Sequence, residues 1–333
     1  MKISSGVTLV NLACSGDPDM IAKPGWMVNL VGDSNTGKSF LARTILADNY
    51  YRYKDAMFYV YDDLEYGVHW NDGKMFGTSF AEMALQPAFE YEDKTIEAWY
   101  QTFNKCVTKS EEEKRPFLYV LDSWDAINAD SDIDYMKAIA EGKDKKSMGM
   151  AKAKLGSKLL SDVVSKLEAT GSVLFVISQT RDNIDPMSFE TRTRSGGKAL
   201  RFYSSLEVWL AAKGKLKLDA GTDPYGIQVS FKQKRSRLLG HESVVEFPIT
   251  YMYGIDDTQA SVDYLVGEGV IKKEGHSLVS TDLDIKVATR KFVAEIEAKG
   301  KKPQLNELVV KTWRAKEESI VDRVLQGRAL RYG

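Results

Sequence analysis

The chain has 333 residues, 43% of them hydrophobic, with 46 Lys and Arg against 47 Asp and Glu. That length and balance describe a folded globular protein with room for about two domains, and exclude disordered and collagen-like chains. No apolar run approaches the ~18–20 residues needed to span a bilayer, and the net charge of −1 gives no whole-protein argument for nucleic acid, so such a site must be local.

Taken in chain order, the opening Met1-Lys2-Ile3-Ser4-Ser5-Gly6 lacks the apolar core of a signal peptide, and secretion is not expected. Cys14 and Cys106 lie far apart, and the histidines are His69, His241 and His276. A disulfide framework or a Cys/His zinc site is therefore not expected, and a reducing cytoplasm fits best. Apolar runs of strand character follow at Trp26–Val31, Ala56–Tyr61, Pro116–Leu121, Val173–Ser178, Leu206–Ala211, Ile227–Phe231 and Val244–Tyr253. Several are nearly continuous in Val, Leu, Phe and Tyr, the pattern of strands buried on both faces. Helical patterns lie between them at Ser39–Ala47, Ile96–Thr108, Gly149–Ala169 and Gly197–Ser204. Alternation of this kind predicts an α/β fold with a largely parallel sheet flanked by helices. After Asp256 the chain turns to short amphipathic stretches rich in Lys and Glu: Ala260–Val266, Leu283–Ala298, Leu305–Ala315 and Ile320–Ala329. Hints of strand surround Val270 and Leu278. The expected division is a core over 1–255 and a small, mainly helical α+β unit over 256–333.

The strongest motif is Gly32-Asp33-Ser34-Asn35-Thr36-Gly37-Lys38-Ser39, which follows an apolar strand and precedes the helix-forming run Phe40–Leu46. Glycines let successive backbone N–H groups curl toward phosphates, and the helix N-terminus adds partial positive charge. Lys38 is expected to reach the β- and γ-phosphates of ATP, and the Ser39 hydroxyl to ligate Mg²⁺. A P-loop needs a second carboxylate near its metal. The apolar run Phe117–Leu121 ends in Asp122, placed to hold a water on Mg²⁺. Hydrolysis also needs a base for the attacking water, and three acids follow the second strand: Asp62, Asp63 and Glu65. The residue pattern does not choose among them. Tyr66 and Trp70 read equally as base-stacking or core aromatics.

Ser178-Gln179-Thr180-Arg181, followed by Arg194-Ser195-Gly196-Gly197-Lys198-Ala199-Leu200-Arg201-Phe202-Tyr203-Ser204-Ser205, resembles the RecA-type homologous recombinases at the end of their second DNA-binding loop. Ile3-Ser4-Ser5-Gly6 and Asp122-Ser123 also resemble that family's opening motif and metal-site acid. The resemblance runs from about residue 3 to 280, dense at the motifs and thin between them. Asp63-Leu64-Glu65-Tyr66-Gly67 is similar to a stretch in UvsX-like phage recombinases, which implies Glu65 as the base. The same resemblance implies Gln179 as the γ-phosphate sensor that couples ATP to the DNA loop. It also implies that Lys232 and Lys234 reach a neighbouring subunit's ATP, where trans cations stabilise developing charge.

Local basic clusters support DNA binding at two loops, near 129–149 and 180–198. Lys143, Lys145 and Lys146 belong to the first; Arg181, Arg192, Arg194, Lys198 and Arg201 surround the second, with Gly196 and Gly197 at its close. Such residues hold the phosphate backbone without reading sequence. Met187 and Phe189 are apolar residues of the second loop that can wedge or stack between bases.

The implied protein is an ATP- and Mg²⁺-dependent, DNA-dependent ATPase that oligomerises as a filament or ring on single-stranded DNA and promotes strand pairing. Duplex DNA is a possible second substrate. The alternatives are a ring helicase or motor of the same fold, and a nucleotide-gated DNA-binding or annealing accessory. The family's amino-terminal helix and strand would lie ahead of Ile3, so assembly through that arm is not expected. A phage source and the host cytoplasm complete the expectation.

Overall fold

The computed structural model describes residues 1–65, 71–83, 94–129, 150–182, 192–194, 197–219 and 221–328; at 150–154, 182, 192–194, 197–198 and 325 only the backbone is described. Five parallel strands form the centre, in the order β2 (Phe58–Asp63), β3 (Phe117–Asp122), β4 (Val173–Asp182), β1 (Met27–Gly32), β6 (Leu206–Leu216). Every residue of β1 and β3 is buried, which is why both read as unbroken apolar runs. The sheet continues antiparallel through β7 (Gly226–Ser236), β8 (Ser243–Thr250) and β9 (Gly254–Ile255), while β5 (Arg192–Arg194) pairs with the end of β4.

Helices cover the parallel half on both faces. On one side lie α1 (Thr8–Ser15) and α2 (Lys38–Tyr53), with the short α3 (Asp72–Phe76) and α4 (Thr78–Glu82) beside them. On the other lie α5 (Ile96–Glu113), α6 (Met150–Thr170) and α7 (Gly197–Tyr203). Helix α5 starts where the Thr95 hydroxyl accepts from the Ala98 N–H at 3.2 Å, and it buries Ile96, Trp99, Phe103, Cys106 and Val107. The antiparallel half differs. Val229, Phe231, Val245, Phe247 and Ile249 join the apolar cluster that includes α1, whereas Lys232, Lys234, Val244 and Glu246 alternate with them onto the opposite face.

After β9, Asp256 caps α8 (Asp257–Gly267) through the Gln259 N–H at 2.8 Å. A three-stranded antiparallel sheet follows, β10 (Lys272–Glu274), β11 (Ser277–Ser280) and β12 (Ile285–Ala288), then α9 (Phe292–Ala298) and α10 (Lys302–Leu325). This region is thus less helical than its charge pattern predicts, and the two last predicted helices are one. The predicted strand Val244–Tyr253 ends at Thr250, where the chain turns through Tyr251–Tyr253 into β9. Strands β6 and β7 run five residues past their predicted ends at Ala211 and Phe231, because their antiparallel pairing continues beyond the apolar stretch (Ala211↔Ser230, Lys215↔Ile227, Glu207↔Arg235). One apolar cluster is continuous from α1 and the sheet into Phe292, Ile296, Leu305, Val309 and Trp313. No helix among the described residues is long and apolar enough to cross a membrane.

Candidate nucleotide site

The site lies at the carboxyl ends of β1, β3 and β4, where parallel α/β sheets leave a crevice for ligands. Gly32 ends β1 against β6: a Cβ there would stand 2.5 Å from the Leu210 carbonyl oxygen and 2.7 Å from Thr36 Oγ1. Gly37 turns the chain into α2 with φ of 87°, and its Cβ would meet Ile249 Cδ1 at 2.5 Å. Gly32 is required by the close approach of the β6 backbone, Gly37 by its left-handed φ. No side chain caps α2 at Gly37, so the first-turn N–H groups remain for a ligand. Asn35 takes the left-handed conformation, φ 59°, which Asn tolerates.

Lys38 is buried, and its ammonium donates to the Asp33 carbonyl at 2.6 Å; the Thr36 hydroxyl donates to the same oxygen at 2.8 Å. Burial pulls the Lys38 pKa down, against Asp122, Glu65 and Asp125, which favour the charged form. Asp122, also buried, accepts from the Tyr61 hydroxyl at 2.6 Å and from Ser39. Burial raises its pKa, Tyr61 and Ser39 oppose the rise, and Glu65 and Asp63 add to it. The donor set fits a P-loop metal, which takes one hydroxyl and one water-holding carboxylate and draws its remaining oxygens from phosphates and water. Ser39 and Asp122 have the chemistry of those two groups, and Ser39 lies within hydrogen-bond reach of Asp122. Among the described residues there is no three-residue His, Cys, Asp or Glu cluster that would bind a metal without the nucleotide.

The three acids separate by environment: β2 runs two residues past its predicted end at Tyr61, so Asp62 and Asp63 are its last residues and only Glu65 follows it. Asp62 is buried and accepts from the Tyr119 hydroxyl at 2.6 Å. Asp63 sits opposite Asp122 in the β2–β3 register. Glu65 is exposed; its Oε1 accepts from the Ser123 hydroxyl and from Gln179 Nε2, the latter at 3.2 Å. Gln179 lies on β4 beside Gly32 of β1. Its backbone N–H donates to Asp125 Oδ2 at 2.7 Å, and Arg181 Nη2 stands 3.8 Å from Asp125 Oδ1. Asp125 was not singled out by the motifs. Its only sequence signal is a carboxylate three residues after Asp122.

Strand β4 continues past Gln179 to pair with β5 (Thr180↔Arg194, Asp182↔Arg192), and α7 follows. Arg192, Arg194, Gly197 and Lys198 therefore lie on the backbone of β5 and α7. Arg181 is 72% exposed at its side chain, and Arg201 and Phe202 are exposed on α7. Lys143, Lys145, Lys146, Met187, Phe189 and Gly196 lie outside the described residues, as do Tyr66, His69 and Trp70.

Lys232 and Lys234 are on β7. Lys232 is level with Trp209 of β6, itself level with Val31, so it stands two strands, about 10 Å, from β1. Lys232 pairs with Glu242 at 2.5 Å, and Lys234 Nζ lies 3.9 Å from the Trp209 ring centroid. The structure does not bring either lysine into its own chain's P-loop. A further feature escaped the motifs: the turn Tyr251-Met252-Tyr253 is exposed by 45, 77 and 61%. It stands beside the P-loop, since Ile249 faces Gly37 and Gly254 faces Phe40.

A family model described as the RecA N-terminal domain matches residues 2–256. Protein RecA of Fusobacterium nucleatum is 27% identical over 274 residues, 82% of this chain and 67% of that protein. Protein RecA of Tropheryma whipplei is 29% identical over 146 residues, and that of Corynebacterium glutamicum 31% over 139. Those two matches cover 43% and 42% of this chain, and only 33% and 36% of the relatives' own length.

Proposed function

The chain belongs to the RecA family, and from that premise we propose that it is a DNA-dependent ATPase acting as a recombinase: ATP at the P-loop governs binding to single-stranded DNA and homologous pairing. The observation that carries this reading is the contact of Glu65 with Gln179 of β4. One side chain of the β4 strand touches the acid we assign as the base, and the same strand runs directly into the second loop's β4–β5 stem.

In this reading Lys38 leaves the Asp33 carbonyl for the β- and γ-phosphates. The open N–H groups of α2 cradle them, and the Tyr251–Tyr253 turn offers a face for the base. Ser39 and Asp122 would hold Mg²⁺, whose charge would neutralise the phosphates when bound. Glu65 orients and deprotonates the attacking water. Gln179 moves between Glu65 and the γ-phosphate, and the shift is passed along β4 to Arg181 and the loop beyond it. The DNA backbone is held by Arg181, Arg192, Arg194, Lys198 and Arg201, with Lys143, Lys145 and Lys146 in the first loop. Met187 and Phe189 meet bases; Gly196 and Gly197 let the loop close on α7. The partners are single-stranded DNA, duplex DNA as second substrate, and further copies of the chain. Lys232 and Lys234 act on a neighbour's ATP. The unit over 256–333 is assigned as a docked appendage of the 1–255 core, in a cytoplasmic protein.

The test is ATP turnover with and without single-stranded DNA, paired with negative-stain microscopy and a strand-exchange assay. Turnover stimulated by DNA, regular filaments and exchange are expected. Closed rings that unwind duplex DNA would replace this reading with a motor, and DNA binding indifferent to nucleotide would sink the gating.

A further inference from the structure

Asp122 is anchored by more than its own strand. Tyr61 of β2 lies opposite Val120, with Asp122 two residues further along the same face of β3, the diagonal that a long side chain spans. Its hydroxyl donates to Asp122 Oδ2 at 2.6 Å, and both groups are buried. The other side of the ring is covered from α2: the Arg43 guanidinium carbon stands 4.5 Å from the ring centroid, a cation–π contact. Arg43 in turn pairs with Asp72, with side chains only 11% and 17% exposed. Asp72 opens α3, beside its cap Asn71. A continuous chain, Asp72–Arg43–Tyr61–Asp122, thus runs from α3 across α2 and β2 to the carboxylate at the metal position. No motif contains Tyr61, Arg43 or Asp72.

We propose that Tyr61 is a positioning residue for the Asp122 carboxylate, held by Arg43 and Asp72, and that it sets the Mg²⁺ requirement for nucleotide binding. The inference rests on the reading of Asp122 as the carboxylate that holds the metal's water. A carboxylate on a strand end can rotate about two bonds. The Tyr61 hydroxyl fixes one oxygen and so orients the other, and the Arg43 charge over the ring holds the phenol in that place. Partners of this outer kind tune metal affinity without touching the ion. The device also joins the metal position to α3, the first helix among the described residues after Glu65. A change at α3 therefore reaches the carboxylate through two side chains rather than through the backbone.

The experiment measures binding, not turnover: a fluorescent ATP analogue is titrated onto the full chain at increasing Mg²⁺, and again in EDTA. Tyr61→Phe keeps the ring and deletes one hydroxyl. Its Mg²⁺ half-saturation should rise about 10-fold, with binding in EDTA unchanged. Asp72→Asn breaks the ion pair at its more exposed end and should shift the same quantity in the same direction by less. Asp122→Asn is the reference. If it leaves the Mg²⁺ requirement unaltered, the reading of Asp122 falls. If it raises that requirement while Tyr61→Phe and Asp72→Asn do not, the positioning role is overturned. Should Tyr61→Phe lose its cooperative melting transition, Asp72→Asn decides alone, an unchanged half-saturation counting against the proposal.

Discussion

At the scale of single residues, the acids at and just after the end of β2 differ in what a substitution should cost. Asp62 is a buried acceptor for the Tyr119 hydroxyl, whereas exposed Glu65 accepts from the Ser123 hydroxyl and from Gln179 Nε2. Asp62→Ala should remove a buried acceptor of the Tyr119 hydroxyl and lower stability by about 1–3 kcal/mol, read as a shifted denaturant midpoint, while turnover per folded molecule persists. Glu65→Gln should do the reverse. It retains the hydrogen-bonding shape, so melting and ATP binding stay near wild type, but hydrolysis should fall about 10²- to 10⁴-fold with the loss of a general base. If Glu65→Gln turned over normally, Asp63, level with Asp122, would become the candidate. The contrast between stability and rate is what separates an acid that serves the fold from one that serves the chemistry.

At the scale of elements, Asp257 joins α8 to α1. Its Oδ1 accepts from the Thr8 N–H at 2.7 Å and its Oδ2 from the Thr8 hydroxyl at 3.1 Å, capping α1 from a distance of 249 residues in sequence. Burial raises its pKa above the ordinary 3.8, against the Thr8 bonds and Lys302, with Asp256 adding to the rise. An acid raised in the folded state binds more protons there than in the unfolded chain. Its contribution to stability is therefore greatest below 3.8 and declines as pH climbs through the raised value. Asp257→Asn, which can still accept from the Thr8 N–H and can donate to its hydroxyl, should remove that decline. The difference between the two melting-temperature profiles across mildly acidic pH is the measurement; parallel profiles would show that Asp257 does not titrate there. This cap also shows why parts of the fold were not legible. Helix α1 has Val7 at its N-cap, no side-chain cap of its own, and seven of its eight residues buried, so it has neither a start signal nor an amphipathic period. The central strands were legible because burial on both faces writes itself as an apolar run. The P-loop was legible because its chemistry is local. Tyr61, Arg43, Asp72 and Asp125 were not, since their roles arise from strand register and from helices brought together across 29 to 61 residues.

At the scale of the whole molecule, the asymmetry of the sheet matters most. The parallel half is covered on both faces, while the antiparallel half turns Lys232, Lys234, exposed Val244 and exposed Glu246 away from the cluster around α1. The Trp209 indole belongs to the same face: its N–H donates to Glu207 Oε1 at 3.0 Å, and Lys234 rests over its ring. This face is two strands removed from the chain's own P-loop, and in the function proposed above its lysines serve a nucleotide that another copy presents. A head-to-tail, heterologous contact would do that, and such contacts propagate into a filament or close into a ring. The consequence is a complementation test. Lys38→Ala supplies intact lysines but no working phosphate site; Lys232→Ala with Lys234→Ala supplies the converse. Each should be inactive alone, because one lacks ground-state phosphate binding and the other lacks trans charge stabilisation. Mixed in equal amounts on single-stranded DNA, some interfaces pair a good P-loop with good lysines. With random mixing that fraction is about one quarter of interfaces, so DNA-stimulated turnover should recover to roughly a quarter of the wild-type rate. Co-assembly is verified independently by energy transfer between differently labelled variants. Co-assembly without recovered turnover would mean that the lysines act within their own chain, through the Trp209 face and β6, and not on a neighbour's ATP.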